Sequence, residues 1–347
     1  MKKHTLKKLF ALAAAAALTL ALTACSGGTQ PSATPTPSDS AAPTDSAEPQ
    51  TRTLKVAIIK QLDHASLDEI AAAIAARFDE MSADGLTVEY TITSGQNDQT
   101  ILKQLCDQAI ADKVDVIVPI ATTAAQVAAV AAEGTGVKVV YAAVSDPEAA
   151  KLTGIDYVSG TRDALNTRFI IDMMLAQNPD LKSVGLLYSL SEPNSATPIT
   201  EAKTYLAEKN IDFVEQTANT NDEVVAAATA LIAADVDAIF TPTDNVIMAA
   251  ELAIYEDLAK AGIPHYTGAD SFVRNGAFAT CGVNYTDLGR RTAELAKQAA
   301  DGEALEDYYL MDGGIITVNT ETAAALNADY SAFAAMGEVV EVATTKD

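Results

Sequence analysis

The stretch VDVIVPIATTAAQVAAVAAEGTGVKVVYAAV, residues 114–144, decides the fold. It begins with a continuous apolar run (114–121), continues with a segment of helical spacing (124–134) and ends with a second apolar run (137–144). Continuous apolar runs are typical of strands buried on both faces, and a helix between two such strands favours parallel pairing. The stretch therefore predicts a strand–helix–strand unit of a parallel sheet.

The same alternation continues on both sides of this unit. Further predicted strands lie at 54–59, 86–93, 183–190, 212–218, 236–243 and 264–269, with helical patterns between them. Two blocks of about four units predict an α/β protein with two Rossmann-like lobes. A closed (β/α)8 barrel is the main alternative, since it also has eight units. The additional strand, helix and strand-like segment at 277–312 favour two lobes, because such a fold needs chain crossings.

Helix starts can be predicted from side chains that accept hydrogen bonds from free backbone N–H groups. Asp98 and Asp244 each precede a helical pattern and are candidate caps. A Ser or Thr followed three residues later by Glu or Gln predicts a capping box. Such boxes are predicted for the pairs Ser66–Glu69, Thr123–Gln126 and Thr220–Glu223.

The first fifty residues indicate export. Four lysines precede a 14-residue apolar stretch, Leu9 to Leu22, which is too short to cross a bilayer of about 30 Å as a helix. The end of this stretch, Leu22-Thr23-Ala24-Cys25, resembles a bacterial lipobox, which implies a lipoprotein signal peptide (1–24) and lipidation of Cys25. An ordinary signal peptide is the alternative. The Ser-, Thr- and Pro-rich segment 25–53 is predicted to be a disordered tether.

Composition excludes several classes of function. The chain has 347 residues and a net charge of −24, which argues against nucleic acid and against electrostatic docking on anionic lipid. Three Cys and three His leave little material for a disulfide scaffold or a structural zinc site. The dinucleotide, P-loop, nucleophile-elbow and zincin motifs are absent from the sequence. We therefore expect no metal, no cofactor and no catalysis, and we expect Cys106 and Cys281 to be core residues, with a disulfide between them left open.

Candidate ligand-binding residues follow the predicted strands, because ligands of open parallel sheets bind at the carboxyl ends of the strands. Thr122 and Thr123 stand in the first turn of a helix, where free N–H groups favour an anion, although plain capping is the alternative. Ser195 at another helix start is a second candidate for the anion. Asp244 and Asp270 follow neighbouring strands and are candidates for a cation, with helix capping the alternative for Asp244. Together these residues predict a zwitterion such as an amino acid.

The body of the chain (54–335) resembles the extracellular solute-binding proteins of ABC transporters, in particular the branch associated with tryptophan, tyrosine and phenylalanine uptake. The resemblance rests on the order and spacing of several segments rather than on one motif. They are LDHASLDEI (62–70), VDVIVPIATTAAQVAA (114–129), VVYAAVSDP (139–147), YSLSEPNS (188–195), PTDNVI (242–247) and GADSFVRNGAFATCGVNYTDLGRR (268–291). It implies a type I periplasmic-binding-protein fold, with two lobes, a three-strand hinge and a ligand in the cleft.

The resemblance also implies roles for particular residues. The Thr-Asp-Asn pattern is intact at 243–245, so Asp244 is the first choice for the ligand ammonium, with Asn245 beside it. Thr122, Thr123 and Ser195 are the choices for the carboxylate, and Thr123 replaces the proline that is usual there. Further lining residues are Ser145, Asp146, Glu192, Asn194 and Asp270. The subsite for an aromatic side chain is not assigned.

The implied organisation and function follow. Lobe 1 comprises 54–158 and 279–307, lobe 2 comprises 159–278 and 308–335, and 336–347 form a C-terminal tail. We expect a monomeric, lipid-anchored protein at the cell surface or in the periplasm that delivers an amino acid to an ABC permease with its ATPase subunit. A nucleoside or sugar receptor on the same fold is the alternative. An exported enzyme and a purely structural lipoprotein are more remote alternatives.

Overall fold

The computed structural model describes residues 53–345. The predicted signal peptide, Cys25 and all of the predicted tether except Thr53 lie outside this range. The strands are β1 Thr53–Lys60, β2 Thr87–Ser94, β3 Val116–Ile120, β4 Lys138–Tyr141, β5 Val158–Arg162, β6 Ser183–Tyr188, β7 Asp212–Thr217, β8 Ala238–Thr241, β9 His265–Thr267, β10 Ala279–Val283, β11 Tyr309–Leu310, β12 Gly313–Asn319 and β13 Val339–Val342.

Helices connect most of these strands. They are α1 Ala65–Ala83, α2 Gln99–Ala111, α3 Thr122–Ala132, α4 Thr167–Gln177, α5 Pro193–Glu208, α6 Asn221–Ala233, α7 Asn245–Lys260, α8 Asp270–Arg274, α9 Tyr285–Ala300 and α10 Thr320–Leu326, with a short 3-10 helix at Ser331–Ala335. No helix within residues 53–345 is both long and apolar enough to cross a membrane.

The strands form two separate open sheets, and the closed-barrel alternative is wrong. Within the described chain, one sheet runs in the order β11-β5-β4-β3-β1-β2 and the other in the order β13-β12-β10-β9-β8-β6-β7. All neighbours in the first sheet pair in parallel. In the second sheet β10 and β12 are antiparallel, and the other neighbours are parallel.

The chain crosses between the two sheets at three places, which together form the hinge. The first crossing, 163–166, leads from β5 to α4, the second is at Asn284 between β10 and α9, and the third, 311–312, leads from β11 to β12. Lobe membership differs from the predicted boundaries at several strands. Strand β10, expected in lobe 1, pairs with β9 and β12 of the second sheet. Conversely, β5 and β11 belong to the first sheet, and the predicted tail contributes β13 to the second.

Both faces of the first sheet are covered, as its apolar strands predict. Neighbouring residues of one strand contribute to different cores, because side chains alternate between the faces of a sheet. In β3, Val118 packs in the same cluster as Ile74 of α1, whereas Ile117 packs with Leu102 of α2. Each fully buried aliphatic side chain of this kind contributes about 1.5–3 kcal/mol. Such burial supports the lobe without a disulfide, and Cys106 and Cys281 are buried and unpaired.

Helix capping follows the sequence at some helices. Asp98 accepts hydrogen bonds from the N–H groups of Thr100 (2.6 Å) and Ile101 (3.1 Å) at the start of α2. At the start of α6, the Thr220 hydroxyl accepts from the Glu223 N–H at 3.3 Å. These two predicted caps are confirmed.

Candidate ligand-binding site

The carboxyl ends of the two sheets face each other across a small interlobe cavity. The polar part of its wall includes Ser145 of the first lobe, Asp163 of the first crossing, and Asn194, Asp244 and Asn245 of the second lobe. The apolar part includes Leu67, Met248 and Phe272. The wall is thus built from loops that follow β1, β4, β5, β6, β8 and β9. The sequence predicts all of these strands except β5, and it predicts a ligand site at their carboxyl ends.

The interlobe cavity is far smaller than an amino acid. Its volume of about 20 Å³ accommodates about one water molecule. Pockets for small ligands usually have volumes of about 300–1,000 Å³. A ligand can therefore enter only if the two lobes separate.

Side chains of the two lobes bond directly to each other in this arrangement. His64 Nε2 lies 3.0 Å from Asn245 Oδ1, and Ser66 Oγ contacts Ser271 Oγ. The Ser66–Glu69 capping box is accordingly wrong, because the Ser66 hydroxyl bonds across the cleft rather than to its own helix. Burial lowers the pKa of His64 to about 4, so its ring is neutral at pH 7. The structure therefore shows a closed arrangement of the lobes.

Asp244 is the N-cap of α7, as the alternative reading of the sequence predicted. Its Oδ1 accepts from the N–H groups of Val246 and Ile247, both at 3.1 Å. Its Oδ2 accepts from the Ser189 N–H and from the Ser195 hydroxyl, both at 2.7 Å. A carboxylate has about four acceptor positions, so this group is fully engaged within lobe 2. Its role toward a ligand ammonium stays a prediction.

Glu192 is the buried carboxylate that joins the two lobes. Its Oε1 accepts from Gln61 Nε2 of the first lobe at 2.7 Å, and its Oε2 accepts from Asn245 Nδ2 at 2.6 Å. Burial, together with the nearby carboxylate of Asp244, raises the pKa of Glu192. Among the described residues Glu192 has no Lys or Arg partner. A cation placed here would favour its ionised form.

Asp163 is a second buried carboxylate, and the sequence analysis missed it. Its Oδ1 accepts from the Ser145 hydroxyl at 2.9 Å, and its Oδ2 accepts from the Tyr285 hydroxyl at 3.2 Å. Burial raises the pKa of Asp163 to about 6. Ser145 also lies 3.1 Å from Thr243 Oγ1 of the other lobe. The signal that could have revealed Asp163 is its place after β5, but the polar strand VSGTR gave no apolar run.

Thr122 and Thr123, the two predicted hydroxyl residues, lie at the start of α3, but neither side chain caps the helix. The N-cap is Ala121, whose φ of 78° and ψ of 164° are strained for a residue other than glycine. The Thr123–Gln126 capping box is therefore wrong. Thr122 Oγ1 is buried without a partner, and the Thr123 N–H donates to Gln61 Oε1 at 3.2 Å. This helix start is thus capped from outside, by Gln61.

The remaining predicted residues lie around this centre. Ser195 is fully buried against Asp244. Asp146 accepts from the Thr197 hydroxyl of the other lobe at 2.8 Å. Asp270 lies outside the cavity wall and pairs with Arg274. Within residues 53–345 there is no group of three or more His, Cys, Asp or Glu that could hold a metal ion.

Two lobes, three crossings and a polar cleft at the carboxyl ends of the strands define a solute-binding protein with the type I periplasmic-binding-protein fold. The chain belongs to the ABC transporter substrate-binding protein family, whose model matches residues 55–331. Substrate-binding proteins of ABC importers are exported to the periplasm or cell surface.

Relatives and solved structures agree with this assignment. The tyrosine-binding protein of Clostridioides difficile is 29% identical over 280 residues, covering 78% of this chain and 80% of the relative. An ABC domain of Streptococcus pneumoniae solved in complex with L-Trp has a TM-score of 0.76 at 25% identity, covering 84% of this chain and 100% of the other. A ligand-free, open substrate-binding protein with adhesive properties from Clostridium difficile has a TM-score of 0.63 at 26% identity, with the same coverage.

Proposed function

We propose that this protein binds a hydrophobic amino acid, with an aromatic side chain favoured, between its lobes and delivers it to an ABC permease and its ATPase subunit. The observation that carries the proposal is a pair of buried carboxylates, Glu192 and Asp163, at a closed cleft, neither of which forms an ion pair within the described chain. The ammonium group of an amino acid would supply the positive charge that these two buried carboxylates lack.

The opposite charge of the ligand has a matching position. The start of α3 presents backbone N–H groups and the unpartnered Thr122 hydroxyl, and a helix N-terminus favours an anion. Leu67, Met248 and Phe272 provide an apolar wall for the side chain. The relatives that bind tyrosine and L-Trp support the aromatic class. No bond is made or broken in this function, and closure of the lobes forms the surface that a permease recognises.

A thermal-shift screen of amino acids, nucleosides and sugars tests the ligand class. A ligand present at 100 times its Kd stabilises the folded state by about 2.7 kcal/mol. We expect hydrophobic amino acids to raise the melting temperature and nucleosides and sugars to leave it unchanged. Mass spectrometry of small molecules released on denaturation would identify a co-purified ligand. Stabilisation by sugars or nucleosides alone would overturn the amino-acid assignment.

Calorimetry on variants tests the site. We expect Glu192→Gln to weaken amino-acid binding at least tenfold, about 1.4 kcal/mol, because the ammonium loses its ionised partner. Glu201→Gln is the matched control, since Glu201 is an exposed residue of α5, the helix that begins directly after Glu192. Equal affinities for the two variants would contradict the role of Glu192.

The proposal includes a lipid anchor at Cys25. We expect Cys25→Ala to release the protein from the membrane fraction and to abolish incorporation of labelled fatty acid. Cys106→Ala is the control, because Cys106 is buried in lobe 1. Retention of Cys25→Ala on membranes would refute anchoring through this residue.

A further inference from the structure

The Gln61 side chain bridges the two polar positions of the cleft. Its Oε1 accepts from the Thr123 N–H of α3 at 3.2 Å, and its Nε2 donates to Glu192 Oε1 at 2.7 Å. Nε2 also lies 3.1 Å from Asn97 Oδ1. Gln61 is only 1% exposed and is held between the lobes. Its carboxamide thus has its acceptor at the predicted anion position and its donor at a buried carboxylate.

The Gln61 carboxamide therefore resembles the headgroup of an amino acid, but it carries no charge. A carboxamide offers an oxygen acceptor and an N–H donor a short distance apart, as a zwitterion offers a carboxylate and an ammonium. A backbone N–H donates a single hydrogen, and that of Thr123 is already engaged by Gln61. A ligand carboxylate can take this donor only if the Gln61 carboxamide leaves.

We infer that Gln61 is an internal competitor of the ligand, which sets the affinity of the site because it occupies the headgroup position when the lobes are closed. The inference rests on the proposed function. The closed form then holds together through the protein's own side chains, and an incoming amino acid replaces Gln61 at both ends. Because Glu192 belongs to the second lobe and Thr123 to the first, the same exchange breaks one lobe-to-lobe contact and forms another through the ligand.

The surroundings of Glu192 support this exchange. Its polar neighbours are Gln61 from the loop after β1, Asn245 from α7, Asn194 from α5 and the carboxylate of Asp244. Among them only Gln61 comes from the other lobe. A cation is a stronger partner than a neutral amide for a buried carboxylate, because it adds the attraction between opposite charges to the hydrogen bond. A ligand ammonium therefore gains by displacing the amide.

The test compares Gln61→Met with Gln126→Met in the full-length protein. Gln126 is the matched control because its side chain is half-buried and donates a hydrogen bond within lobe 1, to the Ala150 carbonyl. Affinity for tyrosine and tryptophan is measured by calorimetry. The radius of gyration without ligand is measured by small-angle X-ray scattering. We expect Gln61→Met to bind about tenfold more tightly, since it no longer loses two hydrogen bonds on ligand entry. We also expect its ligand-free form to be more open than the wild type, and Gln126→Met to match the wild type in both measurements.

Each outcome decides a separate point. Weaker binding by Gln61→Met would make Gln61 a ligand contact and overturn the inference, and so would unchanged affinity. A radius of gyration identical to that of the wild type would overturn the role of Gln61 in holding the lobes together, whichever ligand the protein binds. Absence of any amino-acid binding by the wild type would refute the proposed function, while the scattering comparison still decides whether Gln61 closes the lobes.

Discussion

Replacing Asp244 by alanine should destabilise the second lobe far more than the loss of an ordinary helix cap. The cap on α7 is worth about 0.5–2 kcal/mol. The variant would also leave the buried Ser189 N–H and Ser195 hydroxyl without their acceptor, at about 1–3 kcal/mol each. Removal of a buried carboxylate whose pKa is raised by burial offsets part of this loss. We therefore expect the free energy of unfolding to fall by about 2–4 kcal/mol.

Asp98→Ala is the matched control. Asp98 caps α2 through two N–H groups at the same sequence positions, but it is exposed, and its remaining partner, the Thr100 side chain, is exposed as well. Urea unfolding followed by circular dichroism gives both changes. Equal losses for the two variants would refute the reasoning that the Ser189 and Ser195 contacts matter. Calorimetry on folded Asp244→Ala separates stability from recognition, because a direct ammonium contact predicts at least tenfold weaker binding, and unchanged affinity would reject that contact.

Three further outcomes follow from the packing and the charges. Ala121→Gly should raise the free energy of unfolding by about 1 kcal/mol, because strain of about 1–3 kcal/mol is relieved against a glycine penalty of about 0.5–1 kcal/mol, and a lower urea midpoint would contradict this. Gly289→Ala should lower it by about 1–3 kcal/mol, since the new Cβ would lie 2.7 Å from Ala73 Cβ and from the Ile70 carbonyl, and an unchanged midpoint would show that α1 and α9 can move apart. For Asp163 the folded pKa of about 6 exceeds the ordinary 3.8, so the stability that its proton confers is complete below pH 4 and is lost as pH rises through 6. Asp163→Asn should flatten this part of the stability–pH profile, and persistence of the slope would assign it to another group.

The apolar strands could be predicted from sequence because both faces of each sheet are covered. The runs that predict β1, β3 and β6 are buried almost throughout, and their bounds differ from the observed ones by only a few residues. Strand β5 was missed because its sequence, VSGTR, is polar. Gly160 in this strand lies so close to the Tyr141 carbonyl that a Cβ would come within 2.3 Å of the oxygen. The position of β5 therefore depends on a close approach between two backbones. The pattern of apolar residues in the sequence does not reveal such an approach.

The failed capping boxes follow a pattern of their own. Ser66 and Thr123 carry the expected sequence signals, but both lie at the cleft, and their helix starts are arranged by contacts with other parts of the fold. Asp98 and Thr220 lie away from the cleft and cap as predicted. Local rules are therefore obeyed where a helix start serves only its own helix. They fail at Ser66 and Thr123, where tertiary contacts compete for the same groups, whereas Asp244 caps α7 although it also lies at the cleft.

Most of the predicted polar residues gather at the cleft, but their individual roles depend on hydrogen bonds that a sequence does not contain. Glu192 ranked below Asp244 because only the latter belongs to a recognisable motif. The structure shows Asp244 saturated by four donors and Glu192 bonded across the lobes. Gln61 carried no signal at all, since an isolated glutamine after a strand is an ordinary loop residue.

The Asp163–Tyr285 hydrogen bond joins the first crossing segment of the hinge to the first residue of α9, which follows the second crossing, directly beside the interlobe cavity. When the two lobes rotate about the hinge, residues close to the hinge move little and residues far from it move much more. Leu190, which is 72% exposed on the loop between β6 and α5, is a position from which such a movement could be read with an attached fluorophore. The geometry that captures a molecule thus also suits the protein to serve as an optical biosensor.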